Sequence, residues 1–70
     1  MIAIGTCVRL RPEYLYLLGS LPGSGRNGRV ADRWVADLGG WRGTMPMLRI
    51  FRDGESRSEE WSENMWEPIE

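Results

Sequence analysis

Thr6-Cys7-Val8-Arg9-Leu10-Arg11 sets Thr6, Val8 and Leu10 against Cys7, Arg9 and Arg11. A repeat of two sends successive side chains to opposite faces of an extended chain, so this stretch reads as a β-strand with its apolar side inward and its arginines in water. The same pattern recurs downstream. Arg29 to Ala36 reads as a second strand with Val30, Trp34 and Val35 as its large apolar members. Met47 to Arg52 places Leu48 and Ile50 on one face and Phe51 on the other. Ser56 to Trp61 returns as a half-acidic strand, and Trp66 to Ile69 adds a short last one.

Between the strands lie turn formers. Pro12, Glu13 and the apolar run to Leu18, closed by Gly19, suit one or two helical turns. Ser20 to Gly28 reads as loop, with Asn27-Gly28 as a turn signal, and Gly39 to Pro46 as a glycine-rich loop carrying Trp41. Asp53-Gly54 marks a hairpin, and Ser62-Glu63-Asn64-Met65 a single helical turn capped by Ser62. These elements predict an all-β fold: a small five-stranded barrel with one or two short helical turns.

A chain of 70 residues buries only about 60% of its unfolded surface, so one marginal core and one domain over residues 1–70 are expected. The lone Cys7 cannot form an internal disulfide, and this points to a reducing, cytoplasmic setting. No apolar stretch approaches the length of a membrane span. All nine basic residues are arginine, and they are unevenly placed. Residues 1–52 hold eight arginines against three acids, whereas residues 53–70 hold one arginine against seven acids. Either the two charges occupy separate faces, or the two ends of the chain pair and neutralise each other.

The layout resembles SH3-like barrels, in particular the small stand-alone ones of bacterial and phage genomes. The resemblance rests on Gly-x-x-Val-Arg-Leu at Gly5 to Leu10, Gly-x-Val at Gly28 to Val30, Phe-x-Asp-Gly at Phe51 to Gly54, and the Trp61 to Ile69 close. It implies an SH3-like barrel and binding through aromatics gathered at one mouth, between the first long loop and the third hairpin. It also suggests a phage or mobile-element accessory protein, and the small size and acidic charge by themselves suit a counter-defence factor.

Catalytic residues are scarce. The sequence has no histidine and no lysine, so no Ser-His or Cys-His dyad and no imidazole metal site can form. No enzymatic activity, cofactor, metal or small-molecule substrate is expected. Cys7 reads as an inert, partly buried thiol, and Glu59, Glu60 and Glu63 as a solvated acidic edge that discourages aggregation. Gly23-Ser24-Gly25-Arg26-Asn27-Gly28 spells G-x-G-x-x-G, but a dinucleotide site needs a strand before it and a helix after it. Here a strand follows, so the stretch reads as a barrel loop.

Seven aromatics exceed what so small a core can hold, and some must face outward. Tyr14, Tyr16, Trp41 and Trp61, with Arg42, are the candidate contacts for a protein partner, since Trp, Tyr and Arg dominate binding hot spots. The alternative is nucleic acid, with Arg26, Arg29, Arg33 and Arg42 on phosphates and Trp41 or Tyr16 as a stacking platform. The low pI of about 5.4 opposes it.

Overall fold

The computed structural model describes residues 1–21, 23 and 25–69. The chain runs β1 (Cys7–Leu10), a 3-10 segment η1 (Pro12–Ser20), β2 (Asn27–Asp37), the turn η2 (Gly40–Arg42), β3 (Thr44–Arg52), β4 (Ser58–Ser62), the turn η3 (Glu63–Met65) and β5 (Trp66–Pro68). All five strands belong to one antiparallel sheet in the order β4-β3-β2-β1-β5. Among the described residues no ladder joins β4 to β5, so the sheet is open at that seam and the expected closed cylinder is not completed by hydrogen bonds.

Strand β1 follows its alternation, with Val8 and Leu10 buried and Cys7 and Arg9 exposed. Cys7 is therefore more open than the partly buried thiol expected. In β3, Leu48 and Ile50 point inward and Phe51 outward, as the period of two requires. Strand β2 breaks the rule. Its register with β3 shifts between Val30 and Asp32, leaving Ala31 as the extra residue of a bulge. A bulge moves every later side chain to the other face. Val30 lies in the core, but Arg33 instead of Trp34 sits opposite the buried Leu48. Trp34 is turned to the outer face, where the Arg49 guanidinium lies 5.5 Å from its ring centre.

The core is Ile2, Val8, Leu10, Val30, Leu48, Ile50, Trp61 and Trp66. Trp61 meets Trp66 edge to face with ring centres 5.4 Å apart, a favourable arrangement for two indoles. The apolar run of η1 covers this core with Tyr14, Leu15, Leu17 and Leu18, which explains a helical segment too apolar to stand in water. Gly19 lies within η1 instead of ending it. Ser62 precedes η3 but makes no capping hydrogen bond through its side chain.

Asp53-Gly54 does form a turn, closed by the Glu55 amide donating to the Arg52 carbonyl at 3.0 Å. Only Gly54 has positive φ, so this is not the mirror-image two-residue hairpin that Asp-Gly favours, and β4 resumes only at Ser58. Beneath that turn lies the one buried charged residue among those described, Arg52. Its Nε and Nη2 donate to the two Glu59 carboxylate oxygens at 2.7 and 2.9 Å, and Nη1 donates to the Gly25 carbonyl at 3.0 Å. Trp61 Nε1 also donates to Glu59, at 3.0 Å. Glu59 is thus a half-buried clamp, not part of a solvated acidic edge.

Candidate functional site

β2 and β3 continue past their neighbours. The last pair to a flanking strand is Met47 with Ser62, yet the β2–β3 ladder runs on through Val35–Pro46 and Ala36–Met45 to Asp37–Thr44. Three further pairs extend the two-stranded ribbon by about 10 Å. Its tip is held by specific bonds. Leu38 N–H donates to the Gly43 carbonyl, Arg42 N–H to the Gly39 carbonyl, and Gly39 N–H to Asp37 Oδ1 at 2.8 Å. Gly39, Gly40 and Gly43 all have positive φ, a backbone region that side-chain-bearing residues avoid, and together they fix the turn that presents Trp41.

Trp41 is 95% exposed, with Val35 at 63% and Leu38 at 40% on the same ribbon. Arg42 beside it is also exposed and carries no ion pair among the described residues. The apolar tip is wider than the Trp41–Arg42 pair that the sequence suggests. Val35 and Leu38 were legible as apolar residues, but only the overhang of the ribbon removes the neighbours that would bury them.

The remaining aromatic candidates do not gather there. Trp61 is only 8% exposed and belongs to the core, because the Leu48–Trp61 pairing turns it to the inner face of β4. Tyr14 is half-buried against the core, and Tyr16 is 74% exposed on η1. η1 leaves the sheet where β1 ends and β2 begins, whereas η2 joins the far ends of β2 and β3. Eleven residues of β2 span about 33 Å, so the expected single mouth of Tyr14, Tyr16, Trp41 and Trp61 is split between opposite ends of the sheet.

The four candidate arginines are dispersed too. Arg33, turned inward by the bulge, donates through Nη1 to the Ile2 carbonyl and to Glu63 Oε2, the latter at 3.0 Å. Glu63 also accepts from the Ile2 amide at 3.0 Å. Arg26 donates through Nε to the Leu10 carbonyl at 3.2 Å. Arg29 stands on the outer face opposite Cys7 and Phe51, and Arg42 sits at the tip. They share no one groove.

The uneven charge along the sequence cancels in space. The ion pairs among the described residues are Arg9–Glu67, Arg11–Glu67, Arg33–Glu63, Arg49–Glu60 and Arg52–Glu59. Each joins an arginine of residues 1–52 to an acid of residues 53–70: four follow from the pairing of β5 with β1 and of β4 with β3, and in the fifth Arg33 of β2 reaches Glu63 of η3. Hydrogen bonds from Arg52 lower the Glu59 pKa below its ordinary value despite burial, with Trp61 assisting. The same contact raises that of Arg52.

No known protein family, curated protein or solved structure matches this chain. Among the described residues no three His, Cys, Asp or Glu side chains converge as metal ligands would, and no helix is long and apolar enough to cross a membrane.

Proposed function

We propose that this chain is a non-enzymatic binding module that docks a protein partner on the tip of its β2–β3 ribbon. The observation that carries this reading is the nearly complete exposure of Trp41 on a turn fixed by three glycines and flanked by exposed Val35, Leu38 and Arg42. A rigid, exposed Trp beside an Arg loses little conformational freedom on binding and brings large apolar area to a contact. An SH3-like barrel is the architecture we assign. Its supports are the strand order, the long central β2 shared by both halves of the sheet, and the 3-10 link before β5. A reducing, cytoplasmic setting accords with the single free Cys7.

Binding of nucleic acid is the less favoured reading, because phosphate tracking needs a continuous basic groove and the four arginines lie apart. Trp41→Ala is expected to weaken capture of the partner by at least about 30-fold, the loss of a hot-spot residue worth roughly 2 kcal/mol. The melting temperature should stay nearly unchanged, since a solvent-facing ring contributes little to folding. Affinity capture with both forms, alongside thermal melts, checks this. Undiminished capture by Trp41→Ala, or a large stability loss, would refute the docking site. Tryptophan quenching by mixed short single-stranded RNA and DNA at low salt would shift the function to nucleic acid.

A further inference from the structure

Strand β2 shares only its first part with β1. The β1 ladder reaches Arg29, and the Thr6 carbonyl and Gly5 amide take up the Val30 backbone groups. From Arg33 to Asp37 no strand among the described residues lies along that edge. Which groups stand open there follows from the ribbon tip. Leu38 N–H donates to the Gly43 carbonyl, and bonded and non-bonded pairs alternate along an antiparallel ladder. Ala36–Met45 and Trp34–Met47 are then bonded pairs, whereas Asp37, Val35 and Arg33 turn their N–H and C=O groups away from β3. Pro46, opposite Val35 and without an N–H, agrees with that alternation. It also closes the outer edge of β3, which lacks a donor just where β4 stops. The β2 edge has no such guard, since residues 33–37 hold neither proline nor lysine. Arg33 N–H is met by Asp32 Oδ1 at 2.8 Å, which leaves the Val35 and Asp37 amides and the Arg33, Val35 and Asp37 carbonyls facing solvent.

The side chains specify what can pair there. Arg33-Trp34-Val35-Ala36-Asp37 is complementary to its own reverse. Laid antiparallel on a second copy about Val35, it sets Arg33 against Asp37, Trp34 against Ala36 and Val35 against Val35, and directly opposed residues share a face. Centring the pairing on Arg33 or Asp37 sets like charges face to face, and centring it on Trp34 or Ala36 leaves both charges unmatched. Asp37 is exposed, and 21% of the Arg33 side chain stays open beside Glu63. Past Arg33 this register brings Gly39 of the second copy toward Gly5, two residues without side chains and with open space around them.

We propose that the free edge of β2 pairs with the same edge of a second copy of this chain, forming a two-fold dimer with one sheet running through both. The Val35 amides and carbonyls bond to each other across the axis, and each Asp37 amide donates to the Arg33 carbonyl of the second copy. η2 carries the chain away to β3, so the contact does not use Trp41 and stands apart from the partner docked at the ribbon tip.

The test is self-association of the purified full chain. Sedimentation equilibrium should show a reversible dimer with a dissociation constant between about 10 µM and 1 mM, as suits a contact smaller than a standard interface. In hydrogen exchange the Val35 amide should slow as concentration rises, whereas the Trp34 amide, bonded to β3, should not respond. Val35→Lys sets like charges across the axis and should weaken dimerisation at least about tenfold. Its melting temperature in dilute solution should hold, because Val35 is 63% exposed. Asp37→Asn keeps an acceptor for the Gly39 amide but removes both cross-strand charge pairs, and should weaken dimerisation about fivefold. Trp41→Ala should leave it unchanged. A monomer up to about 1 mM would overturn the inference and give the edge to a different strand. A dimer whose Val35 amide still exchanges freely, or one that Trp41→Ala disrupts and Val35→Lys does not, would overturn it in favour of another contact. The wild-type measurements decide the matter alone if a variant does not fold.

Discussion

Glu59→Gln is expected to destabilise the domain by about 3–5 kcal/mol, the usual loss when one partner of a buried ion pair is removed. The Arg52 side chain has no solvent exposure, and its guanidinium is held by both Glu59 oxygens and the Gly25 carbonyl. Glutamine keeps one acceptor and roughly the same shape but removes the carboxylate charge in direct contact with the buried guanidinium, on which Glu55 acts only as a weaker, secondary charge. A small domain has only about 5 kcal/mol or a little more to lose, so the variant should keep only about 0–2 kcal/mol and melt at a markedly lower temperature by circular dichroism. Arg52→Met combined with Glu59→Leu should recover most of the stability, because the pair also carries a desolvation cost that an apolar replacement avoids. A single-variant loss below about 1 kcal/mol would mean that water relieves Arg52, contrary to its burial.

The same pair fixes a pH dependence. Glu59 has a lowered pKa in the folded chain, mainly through its hydrogen bonds from Arg52. Its contribution is complete above the ordinary carboxylate value near 4.5, begins to fade below it, and is lost as the pH falls through the lowered folded value. Arg52, its pKa raised by the same hydrogen bonds to Glu59, stays charged throughout that range. The stability gap between wild type and Glu59→Gln should therefore be widest at neutral pH and narrow steadily into acid. A gap independent of pH in urea titrations would show that Glu59 stabilises the fold by shape alone.

What the sequence made legible, and what it concealed, follows from how local each signal is. The alternation in β1 and β3 needs only neighbouring residues, and the structure buries Val8, Leu10, Leu48 and Ile50 as that alternation demands. The bulge at Ala31 carries no composition signal, so the inward turn of Arg33 and the outward turn of Trp34 were out of reach. Charge pairing is likewise a property of strand order. Glu59 and Glu60 are adjacent acids, yet one clamps a buried arginine and the other faces solvent, because the period of two places them on opposite faces of β4. Trp41 could be nominated from its glycine-rich surroundings, whereas its separation from Tyr14 and Tyr16 required knowing that β2 runs unbroken between them.

Gly28→Ala is expected to cost about 3 kcal/mol, at the upper end for a single added methyl, because nothing around it can yield. A Cβ at Gly28 would stand 2.6 Å from the Phe51 carbonyl oxygen, 2.7 Å from Ile50 Cγ2 and 3.2 Å from Arg52 Cα. Two of these atoms are backbone of β3, itself paired on both sides, so relief would require parting β2 from β3. Gly25 meets a similar limit, its Cβ falling 2.6 Å from the Asp53 carbonyl oxygen, and its own carbonyl accepts from Arg52. Gly19→Ala is the control. Its Cβ has nothing within 4 Å and its φ is not positive, so alanine there should be neutral or stabilising by a few tenths of a kcal/mol through the unfolded chain. Urea unfolding of the two variants separates them. Near-equal stabilities would show that β3 moves aside freely, whereas a large loss confined to Gly28→Ala assigns the later glycines of the G-x-G-x-x-G stretch to strand contact. Gly25 and Gly28 then let the β1–β2 loop lie directly on the β3–β4 turn, close enough for Arg52 to reach Gly25, and that contact requires small residues at this spacing without any phosphate to bind.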